Sequence, residues 1–238
     1  MSALAMPNRF YQVLLAASTV GFSWLAMQVV HELGHVLHLW LTGGSVDYVI
    51  LHPLAISYTH PAANPHPLAV AWGGVIWGCA LPLGFHLLAR LGGTGCLSAR
   101  AFPAGPCATA CPPASSAEGS QPSTRLLAKP WHTARARVYL SAIFAGFCLI
   151  ANGAYLAGDA WVRGGDGRDL IALGCPAWLL VLVGLPLIGL GLRLWNGLGP
   201  SFGLGPAGGR VDRRAAVAMA LALAAMAAGE VLLPRIGL

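Results

Sequence analysis

Charge is what this chain has least of. Only 9% of its 238 residues are Asp, Glu, Lys or Arg, and just eight are acidic. A soluble domain carries about a quarter, because it must solvate its surface. The shortage excludes an ordinary water-facing exterior and points to one that faces lipid. No Lys/Arg-rich tract appears either: the fourteen basic residues sit in short segments between apolar blocks. The formal net charge of +6 therefore reads as a topology signal, with no nucleic-acid partner expected. The N-terminal region lacks a small-residue cleavage site followed by a soluble domain, so the first apolar block reads as a retained span. Missing too is a second cysteine pair to complete a four-ligand zinc site with Cys107 and Cys111, whose spacing is wider than C-x-x-C. Cys79, Cys148 and Cys175 lie in or beside apolar blocks and read as small buried hydrophobes.

What the chain does have is apolar length. Hydrophobic residues make up 56%, and thirty-one glycines accompany them, the kind of small residue that lets helices approach closely in a bilayer. About 20 apolar residues cross the hydrocarbon core. Five blocks qualify: Phe10 to Leu41, Pro67 to Leu91, Val138 to Gly158, Leu170 to Leu194 and Ala215 to Leu233. The second and fourth contain Pro82 and Pro186, where kinks are expected. Between the first two blocks, Val46, Tyr48, Ile50 and Leu51, then Ile56 and Tyr58, read as short strands separated by Pro53. A hairpin or re-entrant segment fits there if protein covers its backbone. Residues 92–130 are rich in Gly, Pro, Ala and Ser without periodicity and read as a mobile loop. The expected architecture is an all-α polytopic membrane protein, one domain over 1–238, with about five transmembrane helices and a short strand-like segment after the first.

With those spans, one side of the membrane receives Arg9, Arg90, Arg100, Arg125, Lys129, Arg135, Arg137, Arg193, Arg210, Arg213 and Arg214. The other receives Arg163, Arg168 and Arg235. This bias predicts a cell-membrane protein with its N-terminus in the cytoplasm.

The chemistry-bearing residues are His31-Glu32-Leu33-Gly34-His35. Residues i and i+4 share a helix face, about 6 Å apart along the axis, so both imidazoles can reach one metal ion. Neutral imidazole suits zinc. Glu32, next to the first ligand, is placed to take a proton from a metal-activated water. Ionisable groups inside a span are costly, which makes them functional by default; the plainer reading is a hydrogen-bonded histidine pair near a watered helix end. His38 lies about 10 Å along the axis from His31, too far to share the ion easily, and reads as a helix-end polar residue. His52, His60 and His66 fall in the following loop, where they could shape access.

HELGH in a membrane helix, followed by Gly43-Gly44 and a strand-like stretch, resembles the site-2 protease family of intramembrane zinc metallopeptidases. The resemblance covers the first helix well and the remainder loosely. It implies a zinc-dependent endopeptidase acting on membrane-anchored proteins, with an aspartate from a later span as third ligand. Gly73-Gly74 and Gly78 resemble the small residues that let a family helix pack near the site.

Two histidines leave a tetrahedral zinc underfilled. Asp159, Asp166 and Asp169 cluster between the third and fourth apolar blocks, on the same side as the HELGH end of the first. Asp166 is the chosen metal ligand beside His31 and His35, because Asp166-Gly167 opens an apolar block and Asn152 precedes it, as the family's Asp-Gly and Asn do. The departures are a missing Pro after Asn152, a missing Leu before Asp166 and a longer interval. Asp159 is the runner-up, and Asp166 also reads as an N-cap with Asp169 in the first turn. Two other functions remain open: a catalytically silent zinc-binding membrane scaffold or regulatory subunit, and a metal transporter, though no internal repeat supports the latter. The resemblance implies a site facing the cytoplasm, whereas the loop charges place it toward the outer face.

Overall fold

The computed structural model describes residues 6–98, 129–162, 164–205, 208, 210–233 and 235–237, giving only the backbone of 6–8, 93–98 and 129–135. Among the described residues six α-helices dominate: α1 (Met6–Leu41), α2 (Pro67–Ser98), α3 (Lys129–Val162), α4 (Gly165–Ala172), α5 (Ala177–Trp195) and α6 (Arg213–Leu232). All but α4 are long and apolar enough to cross a membrane, the pattern of a multi-pass membrane protein. Pro82 and Pro186 sit inside continuous helices.

The described residues also form three strands: β1 (Ser45–Ile50), β2 (Tyr58–Ala63) and β3 (Arg235–Gly237). They form an antiparallel sheet in the order β2-β1-β3. In β1 the buried residues Val46 and Val49 are three apart rather than two. A register irregularity between Val46 and Tyr48 accounts for this, since a bulge shifts the alternation. Both valines pack with Val36 and Leu39 of α1 and Val70 of α2, which seats the sheet on the helices. Pro61 is tolerated because β2 is an outer strand. The β1–β2 turn folds back along α1: Trp24 Nε1 donates to the Pro53 carbonyl at 3.3 Å, and the Gln28 amide accepts from the Ser57 N–H at 2.8 Å. Trp24 lies two turns before His31, about 10 Å along the axis. Pairing of Tyr48 with Gly237 and Ile50 with Arg235 puts the end of α6 on the same side as the end of α1.

Three boundaries differ from the sequence reading. The first is the expected loop at 92–130. Residues 92–98 continue α2 and 129–130 open α3, because each residue added to an existing helix gains a hydrogen bond without a new nucleation cost. The remainder of that loop, with Cys107 and Cys111, lies outside the described residues. Second, the apolar block at 170–194 is two helices rather than one span. Gly174 is left-handed at φ 92°, Cys175 N–H closes on the Leu170 carbonyl at 2.9 Å, and Pro176 N-caps α5. A residue preceding proline is driven out of the helical region. Third, β3 has no counterpart in the expected elements. Three residues are too few to show alternation, and only pairing with β1 makes them a strand.

Candidate metal centre

His31, Glu32 and His35 are all buried, although they lie in a helix long and apolar enough to cross a membrane. What lets them sit there is how closely α1 and α2 approach. A Cβ on Gly34 would collide with the Gly73 carbonyl, and one on Gly73 would lie 2.6 Å from the Gly34 carbonyl. A Cβ on Gly74 would press against Nε2 of both His31 and His35. Glycine at 74 thus leaves open the space that the two imidazoles face.

Each histidine is oriented by its other nitrogen. His31 Nδ1 lies 2.7 Å from Asn152 Oδ1 on α3, and His35 Nδ1 lies 2.8 Å from the Val70 carbonyl on α2. Amide and carbonyl oxygens only accept, so each Nδ1 carries the proton and each Nε2 presents a lone pair. Asn152 is fixed in turn by donating from Nδ2 to the Cys148 carbonyl at 2.8 Å. This outer support is the usual companion of metal-binding histidines.

The two Nε2 atoms are 3.2 Å apart, and Asp166 Oδ2 lies 2.7 Å from that of His31 and 3.4 Å from that of His35. Three acceptors therefore converge with no donor among them, an arrangement that calls for a cation or a shared proton. Ligand atoms held tetrahedrally at about 2.0–2.1 Å from zinc stand roughly 3.3 Å from one another. Two sides of the observed triangle, 3.2 and 3.4 Å, match that span, while the 2.7 Å side between His31 and Asp166 is shorter and would have to widen around an ion; two imidazoles with one carboxylate are a donor set zinc accepts.

The neighbouring aspartates are placed differently. Asp159 accepts the Gly167 N–H at 3.1 Å, bracing the start of α4 where Asp166 is carried; a Cβ on Gly167 would collide with the Asp159 side chain. Asp169 is exposed and pairs with Arg168 at 3.3 Å. The N-cap of α4 is Gly164, so Asp166 is a first-turn residue rather than the cap, free to point at the imidazoles.

Glu32 has its carboxylate within 4.8 Å of the ligand atoms of both histidines, and its Oε2 accepts from the Thr59 hydroxyl of β2 at 2.7 Å. The sheet is thus tied to the site as well as to α1. A cavity of about 930 Å³ opens over the group, lined by α1, β2, α2, α3 and α4, with His31, Glu32, His35, Asn152 and Asp166 at its wall. His60 reaches the same cavity and stacks on Tyr48, 4.9 Å between ring centroids. His38 donates from Nδ1 to the Gly34 carbonyl at 3.1 Å, a helix-end contact. Thr59, Gln28 and Tyr155 carry no signal in the sequence that marks them as neighbours of this centre.

No family model, characterised protein or solved structure matches this chain.

Proposed function

We propose that this chain is a zinc-dependent endopeptidase working within the membrane on membrane-anchored proteins, as its resemblance to the site-2 protease family implies. The observation that carries this reading is the convergence of three lone-pair atoms, from His31, His35 and Asp166, with the Glu32 carboxylate within 4.8 Å of both histidines' ligand atoms. Zinc held there would supply Lewis acidity and make water a nucleophile near neutral pH. Glu32 takes the proton of the attacking water and returns it to the departing amine nitrogen. Thr59 fixes one carboxylate oxygen of Glu32, leaving the other for the water. Asn152 and the Val70 carbonyl keep both imidazoles turned toward the same point. β2, an outer strand of its sheet, lines the cavity through Tyr58, Thr59, His60 and Pro61, and an extended stretch of substrate has a strand there to lie against.

The loop charges favour a cytoplasmic N-terminus in a cell membrane, with the site toward the opposite face. A compartment-sensitive reporter fused to the C-terminus tests this; a cytoplasmic signal overturns it.

Metal analysis of the purified protein and of Glu32→Gln, paired with cleavage of a quenched fluorogenic transmembrane peptide, tests the activity. The expected result is zinc in both proteins and cleavage reduced about 10²–10⁴-fold in Glu32→Gln, the usual cost of losing a general base. Zinc with equal behaviour of the two proteins would instead mark a silent zinc-binding scaffold.

A further inference from the structure

Nearly every polar side chain around the centre is already committed. Asn152 Nδ2 donates to Cys148, Thr59 to Glu32, Trp24 to Pro53, and Arg168 to Asp169. Tyr155 differs. It lies three residues beyond Asn152 on α3, and positions i and i+3 share a helix face. Its side chain lines the cavity alongside His31, Glu32, His35 and Asp166. Among the described residues its hydroxyl makes no hydrogen bond, and with Tyr155 only half-buried at the cavity wall the group is left open to whatever enters the cavity.

The location of the hydroxyl is set by Gly165, the residue before Asp166. A Cβ on Gly165 would overlap the Tyr155 oxygen, and Gly165 has a left-handed φ of 44°, a conformation glycine adopts without a steric cost. The backbone of α4 therefore begins directly against the phenol. The carboxylates of Asp166, Asp159, Glu32 and Asp169 lie near enough to act on the phenol through their charge, yet none accepts a hydrogen bond from it. A phenol has an ordinary pKa of about 10 and so carries a proton at neutral pH.

Building on the peptidase reading, we propose that the Tyr155 hydroxyl donates a hydrogen bond to the scissile carbonyl oxygen as that oxygen gains negative charge. The water oxygen bonds to the carbonyl carbon, the π pair moves onto the carbonyl oxygen, and the water proton passes to Glu32. Tyr155 keeps its own proton, sharing it with the developing oxyanion. On collapse the C–N bond breaks and the proton from Glu32 goes to nitrogen. A preorganised donor aimed at developing charge is among the largest single contributions to acyl-transfer rates.

The test uses the full-length wild type, Tyr155→Phe and Glu32→Gln in detergent, with three measurements on each. These are bound zinc, steady-state cleavage of the fluorogenic transmembrane peptide, and affinity for a phosphinic peptide, whose tetrahedral centre imitates the charged oxygen. Tyr155→Phe should keep its zinc and its KM, lose about 10²–10³-fold in kcat, and weaken the phosphinic peptide by a similar factor. Wild-type kcat and phosphinic affinity in Tyr155→Phe would overturn the proposal while leaving the peptidase reading intact. Loss of zinc from Tyr155→Phe would overturn it as well, by making the residue structural. A wild type without zinc or cleavage, indistinguishable from Glu32→Gln, would bring down both.

Discussion

The α1–α2 and α3–α5 crossings both rest on glycine. At the second, a Cβ on Gly153 would lie 2.6 Å from the Gly184 carbonyl, and one on Gly184 would lie 2.5 Å from the Gly153 carbonyl. Gly191 repeats the contact against Gly146 two turns further on, and Trp195 Nε1 closes that end on the Ile143 carbonyl at 3.0 Å. The neighbours in this crossing are Leu187, Ile188, Ile150 and Ala157, so its closeness yields packing and nothing more. At the first crossing the same closeness surrounds two histidines and a glutamate. Close approach between helices is generic in membranes; chemistry begins where the side chains placed at the contact cannot satisfy one another.

The sharpest way to break that comparison is to put a methyl group into each crossing. Gly74→Ala fills the space facing both Nε2 atoms, and zinc affinity should fall by at least about 100-fold, the upper range for disturbing a metal site's support. Gly184→Ala meets only backbone and Ala157. It should cost about 1–3 kcal/mol of stability by overpacking, while the folded fraction keeps its zinc. Thermal melts with metal analysis of both variants decide the matter. A folded Gly184→Ala that has lost its zinc would erase the distinction between the crossings.

Next in size is the contrast inside the acidic cluster. Asp166→Ala removes an oxygen that touches both imidazoles, and zinc binding should fall at least about 100-fold. Asp159→Ala removes only the brace on the Gly167 N–H, so a loss of about 10-fold is expected. Asp169→Ala, exposed and paired with its neighbour Arg168, should leave zinc binding unchanged. Isothermal titration with zinc ranks the three, and a larger loss from Asp159→Ala than from Asp166→Ala would reverse the roles given to them here.

How legible each part was follows from how far apart its residues lie. His31, Glu32 and His35 share one helical turn, so spacing alone puts them together. The five apolar helices are equally plain, because lipid demands length and composition that nothing else needs. Asp166 stands 135 residues from His31 and was narrowed from composition: eight acidic residues in all, three of them clustered on one side. Its contact with both imidazoles depends on Gly164 starting α4 and Asp159 bracing it, and no local pattern encodes either. Thr59 and Tyr155 were invisible for the same reason, since a threonine in a strand and a tyrosine in a helix acquire meaning only through what faces them. The α4–α5 break had a signal in Gly174 and Pro176, masked by the apolar run on both sides.

A third contrast concerns the support behind a ligand. Asn152→Ala leaves His31 in place but removes the acceptor for its Nδ1–H, so the imidazole can turn and its tautomer is no longer dictated. Zinc affinity should weaken about 10–100-fold, with stability little changed in the zinc-loaded protein. Unaltered affinity would mean that the α1–α2 packing alone orients His31.

The smallest effect belongs to the link between sheet and helix. Thr59 is the point where β2 touches the chemistry, its hydroxyl donating to Glu32 Oε2 at 2.7 Å, while the hairpin is independently fastened to α1 through Trp24 and Gln28. Thr59→Val keeps the β-branched shape that suits a strand and deletes only the donor. The fold and the zinc should therefore persist, and the loss should appear in kcat, by roughly 5–30-fold, the equivalent of one hydrogen bond of about 1–2 kcal/mol. Thr59→Ser, which restores a donor, should recover most of the rate. If valine leaves kcat unchanged, Glu32 is held well enough by α1 itself, and the sheet's part in this molecule is confined to the wall of the cavity.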